Sequence, residues 1–370
     1  MEPLCPYFGK CGGCSSQHIA YEQQIENKKK QLVSAIKYDD VNVFHGKEFY
    51  YRNRMDFIFS PQGLGFRKKD NWKQIVAVEK CVISEESVNS LLAQTRNFFS
   101  AVDVFDVKRN TGTFRYAVIR TPKNDSSISF VLNSDSTKLA EAIEKIKQFA
   151  ETTSAKNILI TYVPKNTDHS VSNDFFVVKG SDMLKETFLG KTFNYSVQGF
   201  FQNNTEMAEK MQEYVNSLLK SYSTQQAHLL DLYAGVGTFG ILSANLFKDV
   251  KIVESVKECI DAAEKNIEQN KITNAEAILL DAKQLKKVEL NKPLFVITDP
   301  PRSGMHPNTI DQLNNLKPEI IIYISCNIQQ LSKDLLKFKQ YKIKSAAMFD
   351  LFPQTPHVEA VVELAKENMM

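Results

Sequence analysis

Asp231-Leu-Tyr-Ala-Gly235-Val-Gly237-Thr-Phe-Gly240 decides the fold. The apolar run from His228 to Tyr233 reads as a strand, and a helical pattern opens at Thr238. A G-x-G-x-x-G turn in that setting lets the backbone approach a nucleotide. Glu254 closes the next strand-like run, where a carboxylate can accept hydrogen bonds from ribose hydroxyls, and Asp281 follows the third, where it can address an adenine. A bare tight turn at Gly235, Gly237 and Gly240 is the simpler reading, and the ordered acids argue against it. A dinucleotide is the other ligand this fingerprint serves. Downstream stand a thiol and a carboxylate but no hydride-transfer apparatus, so S-adenosylmethionine is the preferred ligand.

Working outward, strand and helix patterns alternate after residue 190, the signature of a mainly parallel sheet covered on both faces. Further strands are expected at Val250–Glu254, Ala277–Leu280, Leu294–Thr298, Ile320–Ile324, Ile343–Phe349 and Val358–Leu364, with a helix starting at Asn203. Pro353 and Pro356 leave no room for a crossover helix between the last two strands, so they should form an antiparallel hairpin at the sheet edge. The expectation is a Rossmann-like α/β domain over 191–370 whose seven-stranded sheet has an antiparallel last strand. Between Tyr50 and Val178, short β-type runs interrupted by turn residues, with a helical stretch over Ser136–Ala150, suggest an α+β domain with a mostly antiparallel sheet. The expected division is 1–85, a cysteine segment with a basic aromatic patch, then 86–190, a central α+β RNA-binding domain.

Two strand ends carry reactive groups. Leu294–Thr298 runs into Asp299-Pro-Pro-Arg302, whose prolines stiffen the loop behind the carboxylate. Ile320–Ile324 runs into Ser325-Cys326-Asn327 just before a helical stretch, and a helix N-terminus should favour the thiolate, a strong nucleophile. Glu359 enters an otherwise apolar edge strand and should face water or do chemistry, with His357 the weaker candidate for the same role. Cys259, inside a helical run, has no assigned role.

The chain has 370 residues, 46 Lys and Arg against 43 Asp and Glu, and six cysteines. Net charge of +3 leaves any nucleic-acid binding to local patches. No secretory leader is readable in Met1 to Lys10, and no apolar run approaches the ~18 residues of a membrane span, so a cytoplasmic protein is expected. Cys5, Cys11 and Cys14 suggest a metal centre, with His18 completing a zinc site or Cys81 completing four thiolates for an iron-sulfur cluster. From His45 to Lys73, seven Lys or Arg (Lys47, Arg52, Arg54, Arg67, Lys68, Lys69 and Lys73) interleave with Phe49, Tyr50, Tyr51, Phe66 and Trp72, a combination suited to looped or single-stranded RNA.

With Gly199-Phe-Phe-Gln202-Asn-Asn and Phe349-Asp-Leu-Phe-Pro-Gln-Thr-Pro-His-Val-Glu359 added in the same order, the chain resembles the S-adenosylmethionine-dependent RNA uracil-5-methyltransferases over nearly its whole length. The resemblance implies Cys326 as nucleophile and Glu359 as base. It implies Gln202, Tyr233, Glu254 and Asp299 in the donor and uracil pocket, beside the turn at Gly235, and a four-iron four-sulfur cluster on Cys5, Cys11, Cys14 and Cys81. Longer members carry an N-terminal RNA-binding β-barrel, and with Cys5 so near the start this chain is expected to lack it. RNA selection is therefore expected from residues 1–190, in a monomer. Uridine in 23S ribosomal RNA is the first expectation for substrate, the tRNA T-loop uridine the second. A non-catalytic iron-sulfur or zinc RNA-binding protein on the same fold is the remaining alternative.

Overall fold

The computed structural model describes residues 2–366. Residues 367–370, the end of the expected C-terminal domain, lie outside that range. The chain begins with a cysteine loop, helix α1 (Tyr21–Ile36) and strand β1 (Val41–Phe44). The middle of the chain runs through β2 (Arg54–Ser60), β3 (Gly63–Lys68), β4 (Asn71–Ala77), α2 (Glu86–Phe98), β5 (Phe114–Arg120), β6 (Ser127–Asn133), α3 (Leu139–Thr152), β7 (Asn157–Val163) and β8 (Phe175–Lys179). A two-stranded ribbon, β9 (Met183–Phe188) with β10 (Lys191–Ser196), precedes the C-terminal half. That half runs through α4 (Thr205–Lys220), β11 (His228–Leu232), α5 (Thr238–Ser243), β12 (Asp249–Glu254), α6 (Lys257–Gln269) and β13 (Ala275–Leu279). It continues with β14 (Leu294–Thr298), α7 (Pro307–Leu316), β15 (Ile320–Ser325), α8 (Ile328–Leu335), β16 (Tyr341–Phe349) and β17 (Glu359–Lys366).

The middle strands form one seven-stranded sheet in the order β4-β3-β2-β5-β6-β7-β8. It is antiparallel apart from the β6/β7 pair, whose strands α3 connects as a parallel crossover. Because β2, β3 and β4 belong to it, this sheet runs across the expected division at residue 85. One face of β5, β6 and β7 packs under α2 and α3 around Phe59, Phe99, Phe130 and Phe149, whose rings meet tilted or edge-on.

The C-terminal sheet has eight strands among the described residues, not seven, in the order β1-β16-β17-β15-β14-β11-β12-β13. The extra strand comes from the N-terminal segment: β1 pairs parallel with β16, Val41 opposite Ala346 and Phe44 opposite Phe349. The final hairpin is antiparallel as expected, but it does not lie at the edge. β17 inserts between β15 and β16, and β1 covers β16. This explains why Val361 and Val362 are both fully buried, since layers cover both faces of that strand. Among the described residues no helix is long and apolar enough to cross a membrane.

Candidate active site

Strands β11 and β14 are neighbours whose chain connections leave in opposite directions, and such a switch point opens a crevice at the carboxyl ends. Leu232 lies opposite Thr298, so the loops that begin at Tyr233 and Asp299 start side by side, joined by the Asp299 N–H to the Leu232 carbonyl at 3.3 Å. The turn after β11 is conformationally demanding: Tyr233 has φ 57°, a rare value for a residue with a side chain, and Gly235 and Gly237 have φ 54° and 84°. A Cβ at Gly235 would meet nothing within 4 Å, so the turn presents open backbone to the crevice. Gly240 is different, because a Cβ there would lie 2.8 Å from Ile252 Cγ1. It lets α5 close onto the sheet, and its N–H donates to Asp231 Oδ2 at 2.7 Å.

Each acid expected in the donor pocket stands at a strand end. Glu254 Oε2 accepts from the Gly235 N–H at 3.1 Å, while Oε1 accepts from the N–H groups of Ser255 and Val256 at 2.6 and 3.0 Å. The carboxylate thus organises both loops, and its remaining acceptor capacity is on Oε2. Asp281 follows β13 and caps the 3₁₀ turn beyond it through the Lys283 N–H at 2.9 Å, which together with the Lys283 charge holds its carboxyl below the usual range. Asp231, an acid the sequence reading did not single out, is fully buried; burial chiefly, with Asp299 and Glu254 nearby, pushes it up to about 8. Gln202 is half-buried in the loop before α4, and its carbonyl lies 3.5 Å from the Asn53 side-chain amide.

The two candidate reacting groups meet across one strand pair. The antiparallel β15/β17 ladder ends at Ser325 opposite Ala360, so Cys326 and Glu359 each adjoin that last pair, and the Glu359 charge acts on the Cys326 thiol. Asp299 is close enough to both to disfavour their ionised forms. Glu359 is buried, which answers the question of whether it faces water: it does not. Burial first, then the Asp299 charge, raises its carboxyl well above the usual range, and Arg302 opposes them. Asp299 itself is pushed up to about 7 by loss of solvent.

The thiol expectation needs correction. Cys326 sits just outside α8, whose N-terminal cap is the Asn327 side chain, accepting from the Gln330 N–H at 3.3 Å. Burial together with the Glu359 and Asp299 charges outweighs the helix end and raises the thiol to about 11, with only the Arg302 guanidinium opposing. The resting site therefore holds a thiol, not a thiolate. Arg302, which the sequence reading quoted but gave no role, is fixed by the Asn327 amide donating to its carbonyl at 2.9 Å. A cleft of about 170 Å³ opens beside Cys326, lined also by Arg302, Asn327, His357 and, from α1, Gln31.

The cysteine loop reaches the middle domain. Cys5, Cys11, Cys14 and Cys81 line one small apolar cavity with Tyr7, Phe66 and Val82. His18 is exposed and stacks obliquely on Phe8 with ring centres 5.6 Å apart, outside that cavity. Burial raises the Cys11 and Cys14 thiols to about 11 and about 12, helped by the neighbouring cysteines. As they stand, no three of His, Cys, Asp and Glu among the described residues are arranged to hold one metal ion. The basic aromatic patch is divided. Tyr51 is buried and donates to the Pro353 carbonyl at 2.9 Å, whereas Trp72 stays 52 % exposed on the β3/β4 hairpin between Arg67 and Lys73. Beside that hairpin lies a groove of about 720 Å³ with Lys10, Lys68, Lys73, Lys108 and Arg115 among its walls.

Comparison with known proteins agrees with this geometry. The tRNA (uracil-5-)-methyltransferase family model matches residues 20–367. A tRNA (uracil(54)-C(5))-methyltransferase of Pyrococcus horikoshii is 32% identical over 97% of this chain and 85% of its own length. An uncharacterised RNA methyltransferase of Caldanaerobacter subterraneus is likewise 32% identical, over 99% of this chain and 85% of its own. The crystal structure of the Pyrococcus abyssi tRNA (uracil-54, C5)-methyltransferase with S-adenosyl-L-homocysteine superposes with a TM-score of 0.81 at 28% identity, covering 96% of this chain and 86% of that one. Matched by the family model over residues 20–367 and similar to these proteins over nearly its whole length, the chain belongs to the tRNA (uracil-5-)-methyltransferase family and is an S-adenosylmethionine-dependent RNA uracil-5-methyltransferase.

Proposed function

We propose that this enzyme methylates carbon 5 of a uridine in tRNA, with Cys326 as nucleophile and Glu359 as base. The observation that carries the reading is a thiol and a buried carboxyl brought together where β15 and β17 end their pairing, close enough for the Glu359 charge to act on Cys326. S-adenosylmethionine, when bound, supplies the methyl group; the open turn at Gly235, with Tyr233, Glu254, Asp281, Asp299 and Gln202, forms the pocket we assign to it. Carbon 5 of uracil is too weak a nucleophile to be methylated directly. The Cys326 thiol loses its proton to solvent, its sulfur bonds to carbon 6, and the electron pair of the 5,6 double bond shifts to make carbon 5 electron-rich. After methylation the Glu359 carboxylate takes the carbon 5 proton, that electron pair restores the ring double bond, and the carbon–sulfur bond breaks to free the thiolate. Burial holds both the Cys326 thiol and the Glu359 carboxyl protonated at rest, so each must lose its proton to solvent before it reacts, and Arg302 is the group beside them that favours both charged forms. A uridine inside folded RNA must be unstacked to reach Cys326. The basic groove beside Trp72, with its positive walls and exposed aromatic, supports RNA as the polymer.

Of the two RNAs expected, the tRNA reading is supported by the Pyrococcus relatives, whose names specify uridine 54. The test is methylation of a tRNA transcript and a 23S ribosomal RNA fragment in parallel, with 5-methyluridine mapped in each. Product at the T-loop uridine is expected. Product only in the ribosomal fragment would transfer the chemistry to the first expectation, and product in neither would end the reading. For the cysteine cavity we propose a four-thiolate iron-sulfur centre. Its support is that Cys81 lines the cavity with Cys5, Cys11 and Cys14 while His18 does not.

A further inference from the structure

The segment that carries Glu359 is held by the opposite end of the chain. Residues 350–358 form the turn between β16 and β17, and Glu359 is the first ladder residue after it, opposite Phe349. Helix α1 presents Gln24, Lys28, Leu32 and Ile36 as its buried stripe, two of them polar. The Lys28 ammonium donates to Asp350 Oδ1 at 2.6 Å and to the Phe352 carbonyl at 3.1 Å, with both members of the ion pair out of solvent. Tyr21 donates to the other Asp350 oxygen at 2.9 Å. Gln24 and Gln354 bind reciprocally: the Gln24 amide donates to Gln354 Oε1 at 3.0 Å, and the Gln354 N–H donates to Gln24 Oε1 at 3.2 Å. The N–H groups of Ser15 and Ser16, immediately after Cys14, donate to the Gln354 carbonyl at 3.0 and 3.2 Å. Gln354 has φ 65°, a conformation that persists only where its surroundings impose it.

This arrangement is more than an anchor for a loop. Buried polar contacts of this density specify one geometry, because an incompletely satisfied alternative leaves charges and amides without partners. Cys326 is held separately, through the Ser325 hydroxyl accepting from the Asn327 N–H and through Asn327 on Arg302. Helix α1 also packs against α8, but the bonds of Lys28 and Gln24 to the C-terminal half go to Asp350, Phe352 and Gln354 and not to Cys326, so it is the base whose segment these two residues hold.

Resting on the reaction proposed above, we propose that Lys28 and Gln24 are positioning residues that set Glu359 for removal of the carbon 5 proton, acting through Asp350 and Gln354. Loosening the turn frays the Phe349/Glu359 pair and displaces the base while leaving the nucleophile in place. Addition of sulfur to carbon 6 then continues, and the step that slows is the one in which Glu359 accepts the proton and the carbon–sulfur bond breaks.

The experiment compares wild type with Lys28→Met, Lys28→Arg and Gln24→Leu on two tRNA transcripts, one ordinary and one carrying 5-fluorouridine, which has no carbon 5 proton to lose. In Lys28→Met, turnover on the ordinary transcript should fall by about 10–100-fold, the scale of a small misplacement of a reacting group. A denaturation-resistant, methylated protein–RNA species should accumulate there. Adduct formation on the fluorinated transcript should stay within about twofold of wild type. Lys28→Arg should recover turnover. Gln24→Leu, which keeps the ion pair, should give the same partition more mildly and carries the test should Lys28→Met not fold. Normal turnover in both disruptive variants, or adduct formation that falls in step with turnover, overturns the proposal. Absence of any adduct with wild type would instead overturn the reaction it rests on.

Discussion

Replacing Asp231 by asparagine tests the electrostatic construction of the donor crevice. Asp231 is wholly out of solvent; Oδ2 accepts from the Gly240 N–H and Oδ1 has no hydrogen-bond partner. Burial raises its carboxyl from 3.8 to about 8. Between those values the unfolded chain has lost this proton and the folded chain has kept it, so folding binds about one extra proton and stability falls as pH rises. The slope is about 1.4 kcal/mol per pH unit, or about 2 kcal/mol between roughly pH 5.5 and 7. Asparagine offers Gly240 the same acceptor without a titrating proton, so the difference between wild type and variant isolates this group from Asp299, Glu359 and the other acids. Calorimetric melting of both proteins at the two pH values is the assay. With about 200 residues unfolding as a unit, 1 kcal/mol is about 2–4 °C, so the difference in Tm should move by about 4–8 °C, wild type losing ground at the higher pH. Parallel pH dependences, or wild type gaining ground, would refute the reasoning.

Cys326→Ala should abolish both methylation and any covalent RNA species, because it removes the atom that bonds carbon 6, whereas Glu359→Gln should accumulate the methylated adduct; a gel of denatured protein and labelled RNA separates the two. Gly240→Ala should destabilise the fold by about 1–3 kcal/mol, since its Cβ would press on Ile252 and on Asp231, and urea unfolding at fixed pH measures this. Anaerobically purified protein should contain iron and absorb in the visible, and Cys81→Ser should lose both while replacement of His18 should not; stoichiometric zinc that needs His18 would reverse the assignment.

Much of the catalytic half is legible in the sequence because parallel strands buried on both faces leave continuous apolar runs, and the acids that follow them mark the crevice. Leu294–Thr298 is observed with its expected ends, and the other expected strands of that sheet are shifted by at most two residues. What escaped has physical reasons. Helix α1 buries Gln24 and Lys28 in a stripe that apolar periodicity cannot detect, and β1 is four residues long, too short to register as alternation. Cys326 was placed at the right strand end, yet its protonation depends on Glu359 and Asp299, brought from distant parts of the chain. The same holds for the expected sheet edge: no local pattern at 341–366 announces that residues 41–44 cover it.

Strand β1 has a bearing on biosynthesis. Val41 pairs with Ala346, so the catalytic sheet joins residues about 300 positions apart, while the intervening seven-stranded sheet is complete by Lys179. During synthesis the middle domain can fold as soon as it emerges, but the first 44 residues must wait for nearly the last. Closing so long a loop is only slightly costlier than closing a shorter one, since the entropy grows with the logarithm of length, yet the search is slow. Until it ends, β16 has a bare edge able to pair with another chain. A fragment beginning near residue 191 would keep that edge permanently, and light scattering should show it associating more than the whole chain.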